Sequence, residues 1–340
     1  MNAPSVAPPA AIAEARTLCD DATRAAVDRL DPRMRLIASY QMGWVEADGS
    51  PRPGGGGKAV RPTLVVLGAR AAGAAPRVGV PGAVAVELVH NFSLLHDDVM
   101  DRDVERRHRP TGWAVFGDGQ AILAGNAMLI AAIDAVQRSG PHAAAAVACL
   151  LEATQRLITG QAEDLAYEKR TDLTVDDVLR MEAGKTAALL ACSASIGAVL
   201  AGAAAESVDA LAEYGEQLGM AFQLVDDVLG IEGDPALTGK SASSDLRAGK
   251  RSIPVVAALS AGTPAADDLA GLLAAGPPDT DADVARAAAL VREAGGLAWA
   301  EAEARTRLDR ALAALRRGGL DPAARDELAQ VARFVVGRDH

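Results

Sequence analysis

Aromatic side chains are nearly missing from this chain: Phe, Trp and Tyr make up 3% of its 340 residues. Ala, Val and Leu must therefore fill the core. Cysteine is as scarce. Cys19, Cys149 and Cys192 are far apart and form no CxxC pair, which excludes a disulfide framework or a zinc site and suits a reducing compartment. Positive charge is in deficit, with a net charge of −11. That excludes a general nucleic-acid binder, which carries a basic stripe, but local Lys and Arg clusters can still build a site for an anion. No run of about 20 uninterrupted strongly apolar residues occurs, so no stable membrane insertion is expected. The N-terminus has no basic stretch leading into an apolar one, so no secretory signal is read and a cytoplasmic location is expected.

What is present favours helix. Half the residues are hydrophobic and 23% are charged, enough for a sizeable core, and an Ala- and Leu-rich composition has high helix propensity. Helical patterns run over 10–30, then roughly 60–73, 79–101, 118–137, 142–168, 174–202, 206–232, 252–260, 264–274, 281–295, 297–316 and 321–336. Asp31-Pro32 is a stop and restart. Pro141, Pro235 and Pro277-Pro278 fall between patterns, as helix breakers should. The Gly54–Gly57 run is a loop. No alternating strand pattern and no internal repeat are found. The expected fold is one all-α domain over 10–340, behind a disordered Pro- and Ala-rich tail over 1–9.

Two acidic clusters carry the chemistry. Asp97 and Asp101 stand at i and i+4 at the end of an apolar helix, with Asp98 beside them, so two carboxylates share one face. Carboxylates crowded there are tolerable when a hard cation such as Mg²⁺ neutralises them. Asp226-Asp227 repeats the pattern after a second apolar helix, with Gly230 where a third Asp would stand, so this site offers fewer ligands. Basic residues flank both: Lys58 and Arg61 after the glycine run, Arg106-Arg107 after the first cluster, Lys185-Thr186 between the two, and Lys240, Lys250 and Arg251 after the second. Carboxylate-held metal on one side and Lys or Arg on the other is what a diphosphate requires. No Ser/His/Asp or Cys/His arrangement suggests a protein nucleophile.

In order along the chain, Gly56-Gly57-Lys58-Ala59-Val60-Arg61-Pro62, His90, Asp97 to Asp101 with Arg106-Arg107, Gly160-Gln161 with Asp164, Gly184-Lys185-Thr186, Phe222-Gln223 with Asp226-Asp227, Gly239-Lys240, and Asp245 with Gly249-Lys250 resemble the motif set of the trans-isoprenyl diphosphate synthases. The resemblance implies a helical bundle around a deep central cavity, a homodimer, and Mg²⁺-dependent condensation of isopentenyl diphosphate with an allylic diphosphate. It implies metal binding by Asp97, Asp101 and Asp226, with Asp98 and Asp227 as supporting acidic residues of the metal set. Arg106, Lys185, Lys240 and Lys250 would meet the allylic diphosphate. Lys58, Arg61, His90 and Arg107 would meet the other, and Thr186 and Gln223 would lie near the reacting carbons. His96 is read as a packing residue.

In that family the turn before the first aspartate cluster floors the cavity. Phe92, with small Ser93 beside it, resembles synthases of geranylgeranyl diphosphate, with farnesyl diphosphate the nearest alternative. A regulatory subunit of a hetero-oligomeric prenyl synthase and a terpene cyclase are the competing readings. The Lys58/Arg61 loop and Arg106-Arg107 argue against a cyclase, which holds no second diphosphate.

Overall fold

A computed structural model describes residues 8–53, 57–106, 108–168, 170–232, 244–274 and 276–337. The tail expected over 1–9, the glycines of 54–56, Arg107 and Lys240 therefore lie wholly or mostly outside the described residues. The helices are α1 (Ala10–Asp28), α2 (Pro32–Gln41), α3 (Val60–Ala71), α4 (Val80–Asp101), α5 (Gly112–Phe116), α6 (Asp118–Gln137), α7 (Ala143–Tyr167), α8 (Val175–Glu182) and α9 (Ala188–Leu200). They continue as α10 (Ala205–Glu232), α11 (Ser244–Arg247), α12 (Ile253–Leu259), α13 (Pro264–Ala274), α14 (Asp281–Glu293), α15 (Gly296–Ala314) and α16 (Pro322–Val336). Among the described residues the only β pairing is two isolated bridges, Val45 with Pro51 and Glu105 with Pro110. The all-α expectation holds.

The shortage of aromatics has a structural counterpart in backbone-to-backbone packing. A methyl at Gly68 would lie 2.2 Å from the Ala194 carbonyl, and one at Gly197 would lie 2.1 Å from that of Val65. Glycine at these two positions lets α3 and α9 touch, and dispersion contacts between close backbones replace large side chains. One apolar cluster joins α1, α3, α4, α6, α7 and α9, while a second joins α8, α10, α12, α13, α14 and α15. Buried polar groups are matched where the helices cross. Tyr214 on α10 is fully buried and donates its hydroxyl to the Leu328 carbonyl of α16 at 2.8 Å. Arg70 of α3 makes a two-pronged pair with Glu327 of α16, each contact 2.8 Å.

By length and composition, three helices would suffice to cross a membrane: Pro76–Asp101, Asp118–Gln137 and Val175–Leu200. The polar interruptions are too sparse to lower their mean hydropathy. Inside the packed chain 61% of the first apolar window and 72% of the third are buried, but only 39% of the second. The first and third serve as inner bundle helices, and α6 is left with an apolar outer face.

Candidate active site

The first acidic cluster sits where a helix least favours negative charge. Asp101 is the last residue of α4, and Arg102, in the left-handed conformation at φ 59°, ends the helix behind it. The C-terminal pole of a helix carries partial negative charge, so carboxylates there call for a cation. Protein cations supply part of the answer. Arg106 Nε donates to Asp98 Oδ1 at 2.6 Å, and its NH2 group lies 3.5 Å from Asp97 Oδ2. Lys185 Nζ pairs with Asp164 of α7 and lies 3.8 Å from Asp97 Oδ1, while Lys250 Nζ lies 3.9 Å from Asp101 Oδ2.

Lys185 and Thr186 reach this place through a local irregularity. Ala183–Ala187 forms one π-helical turn joining α8 to α9, a widened turn of the kind often found at functional sites. It lies hard against α7: a methyl at Gly160 would be 2.2 Å from the Lys185 amide nitrogen, and one at Gly184 would be 2.9 Å from the Arg156 carbonyl. The paired glycines of the Gly160-Gln161 and Gly184-Lys185-Thr186 motifs thus permit one close crossing, which brings Lys185 to Asp164.

Hydrogen bonds join the second cluster to the π turn that carries Lys185 and Thr186. Thr186 Oγ1 lies 2.9 Å from Gln223 Oε1, Gln223 Nε2 donates to Asp227 Oδ1 at 2.7 Å, and the Ile253 amide donates to Asp227 Oδ2 at 2.9 Å. The structure therefore gathers Asp97, Asp98, Asp101, Arg106, Lys185 and Lys250 around the end of α4, and Thr186, Gln223 and Asp227 beside them. Asp226 is exposed on α10 one residue from Asp227. Lys58 and Arg61 stand at the start of α3, and His90 is half-buried in α4.

Asp98 and Asp227, expected as the supporting acidic residues of the metal set, are the two enclosed ones. Asp98 is 1% exposed and engaged by Arg106, and Asp227 is buried between Gln223 and Ile253. Neighbouring residues on a helix diverge by about 100°, so Asp97 and Asp98 cannot share a direction. Burial pushes the Asp98 carboxyl up to about 6 despite Arg106. Burial and the charge of Asp97 raise Asp101. Burial alone would weaken the Lys185 ammonium, but Asp97 and Asp164 more than reverse this and raise it.

Among the described residues, no three of His, Cys, Asp or Glu converge as a closed metal cage. Asp97 Oδ1 is nevertheless a buried carboxylate oxygen with no hydrogen-bond partner. Oxygen ligands on an open acidic edge suit Mg²⁺, which keeps several coordination places for water and substrate phosphates. The residues present fit that ion.

Phe92 is buried and packs edge-on to His96, with ring centroids 4.8 Å apart. His96 Nε2 lies 3.0 Å from the Ile122 carbonyl of α6 and fills the space left by Gly125, so it packs between helices as expected. Ser93, one turn before Asp97, lies on the aspartate face, whereas Phe92 is rotated about 140° from it.

Sequence reasoning missed Glu182, which is buried at the end of α8 within 3.0 Å of Thr186 Oγ1. The i, i+4 spacing of Glu182 and Thr186 was the only signal. It also missed Arg109, whose guanidinium lies 3.4 Å above the Tyr40 ring and donates to the Tyr40 and Val45 carbonyls, anchoring the turn that carries Arg106.

The polyprenyl synthetase family model matches residues 52–291. A (2E,6E)-farnesyl diphosphate synthase from Mycobacterium tuberculosis is 47% identical over 328 residues, covering 95% of this chain and 91% of that protein. A geranylgeranyl diphosphate synthase from the same organism is 44% identical over 308 residues, covering 90% and 88%. The crystal structure of a polyprenyl synthetase from Streptomyces coelicolor A3(2) superposes with a TM-score of 0.92 at 50% identity, covering 96% of this chain and 99% of that one. A polyprenyl synthase from Caulobacter crescentus CB15, complexed with calcium and isoprenyl diphosphate, superposes with a TM-score of 0.80 at 29% identity, covering 98% and 100%. The chain belongs to the polyprenyl synthetase family. Its activity is that class's: it is a prenyl diphosphate synthase, a transferase of prenyl groups.

Proposed function

We propose that the enzyme condenses isopentenyl diphosphate with an allylic diphosphate, with Mg²⁺ as its cofactor, and that its product is geranylgeranyl diphosphate. The observation that carries this reading is the meeting of Asp97 and Asp101 at the end of α4 with Lys185 and Lys250 from other elements. Asp97 and Asp101, with Asp226 from α10, would hold the metal. Bound there, the ion supplies positive charge to the departing diphosphate.

The protein's own groups do the rest. Lys185, Lys250, Arg106 and, by resemblance, Lys240 bind and orient the allylic diphosphate. Lys58, Arg61, His90 and Arg107 take the diphosphate of the isopentenyl partner. Charge gathered on the leaving group lowers the barrier to breaking the allylic carbon–oxygen bond. Thr186 and Gln223 offer oxygen lone pairs close to the cation that forms. The calcium and isoprenyl diphosphate bound by the Caulobacter crescentus relative support both ligand classes.

Small Ser93 on the aspartate face favours a longer product tail, and Phe92 would limit growth as the resemblance implies. The 47% identity to a farnesyl diphosphate synthase favours the shorter product as the second reading. Incubation with Mg²⁺, isopentenyl diphosphate and each of dimethylallyl, geranyl and farnesyl diphosphate, followed by chromatography, separates them. Accumulation of farnesyl diphosphate that is not extended would overturn the geranylgeranyl reading.

The chain would work as a homodimer. Leu123 and Ile130 on α6 are 54% and 66% exposed, and Leu151 and Ile158 on α7 are also exposed. Each pair is seven residues apart, a spacing that suits helix-to-helix packing. Sedimentation of a monomer at micromolar concentration would refute this.

A further inference from the structure

The hydrogen bonds around Thr186 can be counted, and the count is one hydrogen short. Three contacts run in series. Glu182 Oε2 lies 3.0 Å from Thr186 Oγ1, Thr186 Oγ1 lies 2.9 Å from Gln223 Oε1, and Gln223 Nε2 lies 2.7 Å from Asp227 Oδ1. A threonine hydroxyl has one hydrogen, and an amide turns its NH2 to only one side. The two side chains together can act as donor in only two of the three contacts. The third must come from a carboxyl group, so one of the two acids at the ends of the chain is protonated.

The backbone decides which. Asp227 Oδ2 accepts the Ile253 amide at 2.9 Å while Oδ1 accepts Gln223, and both bonds favour a charged carboxylate. That fixes Gln223 with its NH2 toward Asp227 and its oxygen toward Thr186. The Thr186 hydrogen then goes to Gln223 Oε1. Thr186 Oγ1 can only accept from Glu182.

We propose that Glu182 works as a neutral carboxylic acid that donates to Thr186, and so acts as a positioning residue that sets how Thr186 and Gln223 present their oxygens during prenyl transfer. The chain then runs one way, from Glu182 through Thr186 to Gln223. Each of the two middle oxygens keeps a lone pair free of hydrogen, the form suited to facing a carbocation. If Glu182 ionised, the Thr186 hydrogen would turn back to it and Gln223 Oε1 would lose its donor.

The charged groups facing Glu182 are Lys185 on the adjoining π turn, Asp164 on α7 and Lys250 before α12. The lysines favour its ionised form and Asp164 opposes it. Burial outweighs all three and pushes the carboxyl up to about 7, in agreement with the hydrogen count.

This inference rests on the proposed function for what Thr186 and Gln223 do, but its first test needs no substrate. Infrared difference spectra of the metal-free enzyme against Glu182→Gln at pH 6 should show one carbonyl stretch of a protonated carboxylic acid lost in the variant, beyond the contribution of Asp98 that both proteins share. If no such band is lost in the variant, the proton is not on Glu182 and the proposal falls, whatever the product of the enzyme. The second test is the pH profile of kcat. Glu182→Gln can still donate to Thr186, so at pH 6 it should keep kcat within about threefold of wild type, whereas Glu182→Ala should lose about a hundredfold in kcat with little change in KM. Wild type should lose activity as pH rises through Glu182 ionisation, and the Gln variant should lack that decline. Identical profiles for wild type and Glu182→Gln would overturn the proposal, as would a folded Gln variant as inactive as Ala.

Discussion

Replacing Arg106 by Met should destabilise the metal-free protein by an amount that depends on pH in a specific way. Arg106 is the cation held 2.6 Å from a carboxylate that is only 1% exposed. Removing one partner of such a buried pair costs about 3–5 kcal/mol, because the other charge is left without compensation. The uncompensated Asp98 can escape by taking a proton. Its folded-state value is already raised to about 6 by burial against an ordinary 3.8. A raised carboxyl contributes stability that is fully present below the unfolded value and is lost as pH rises through the folded one. Arg106 is among the influences lowering that value, so its removal moves the loss to higher pH. Asp98 is half ionised in the wild type at pH 6 and largely ionised above pH 7. Between pH 6 and 8 the wild type should therefore lose only about 0.4 kcal/mol, while the variant should lose about 1.4 kcal/mol per pH unit. The penalty should therefore be about 4 kcal/mol at pH 8 and about 2 kcal/mol at pH 6. Urea unfolding with EDTA at the two pH values measures it. The double variant Arg106→Met/Asp98→Asn removes the charge itself and should restore about 2 kcal/mol at pH 8, with the extra pH dependence gone. A penalty below about 1 kcal/mol at pH 8, or one equal at both pH values, would refute the reasoning.

Asp101→Ala removes one of the two carboxylates proposed for the metal at the end of α4, and kcat/KM should fall by about a thousandfold, near 4 kcal/mol. The same variant should lose most of the thermal stabilisation that Mg²⁺ with diphosphate gives the wild type, and near-full turnover would count against the site. Phe92→Ala should lengthen the product seen by chromatography and cost about 3 kcal/mol of stability, since the side chain is buried. An unchanged product would mean that Phe92 is core and not floor. Gly160→Ala forces a methyl to 2.2 Å from the Lys185 amide nitrogen, where only backbone could yield. It should cost about 2–3 kcal/mol in melting experiments and lower kcat more than it raises KM.

Helix positions were readable because the composition leaves few alternatives and Pro or Gly marks many of the breaks. The expected run 79–101 and the observed Val80–Asp101 differ by one residue. The acidic clusters were readable as clusters, but the division of labour within them was not. Asp98 follows Asp97 directly, and only the turn that returns Arg106 to α4 shows why one is buried and the other open. That turn is built by Arg109 against Tyr40, residues 69 apart in sequence, a contact no local pattern announces. The π turn was hidden for a related reason. Residues 174–202 read as one helix, and the widening at Ala183–Ala187 becomes legible only once Gly160 of α7 is seen pressed against it.

The charge arrangement argues for exchange of partners as the way the site fills. Lys185 faces Asp97 and Asp164, Lys250 faces Asp101, and Arg106 faces Asp98 and Asp97. Each pair is long or shared except Arg106 with Asp98 and Lys185 with Asp164. Ion pairs in contact with water are worth about 1 kcal/mol or less, so the longer contacts to Asp97 and Asp101 add little to what holds the lysines. A metal taking Asp97 and Asp101, and a diphosphate taking Lys185 and Lys250, would replace weak contacts with charge-assisted ones and leave no group unpaired. The two tight pairs would stay, fixing the end of α4 and the π turn while the rest re-forms around the ligand. On this account, high salt should weaken the loose pairs of the free enzyme while leaving Asp98 paired and Glu182 neutral. Raised ionic strength should then increase KM for the diphosphates well before it lowers the melting temperature. A parallel fall in both would mean that the loose pairs hold the fold together and are not a waiting arrangement for the ligand.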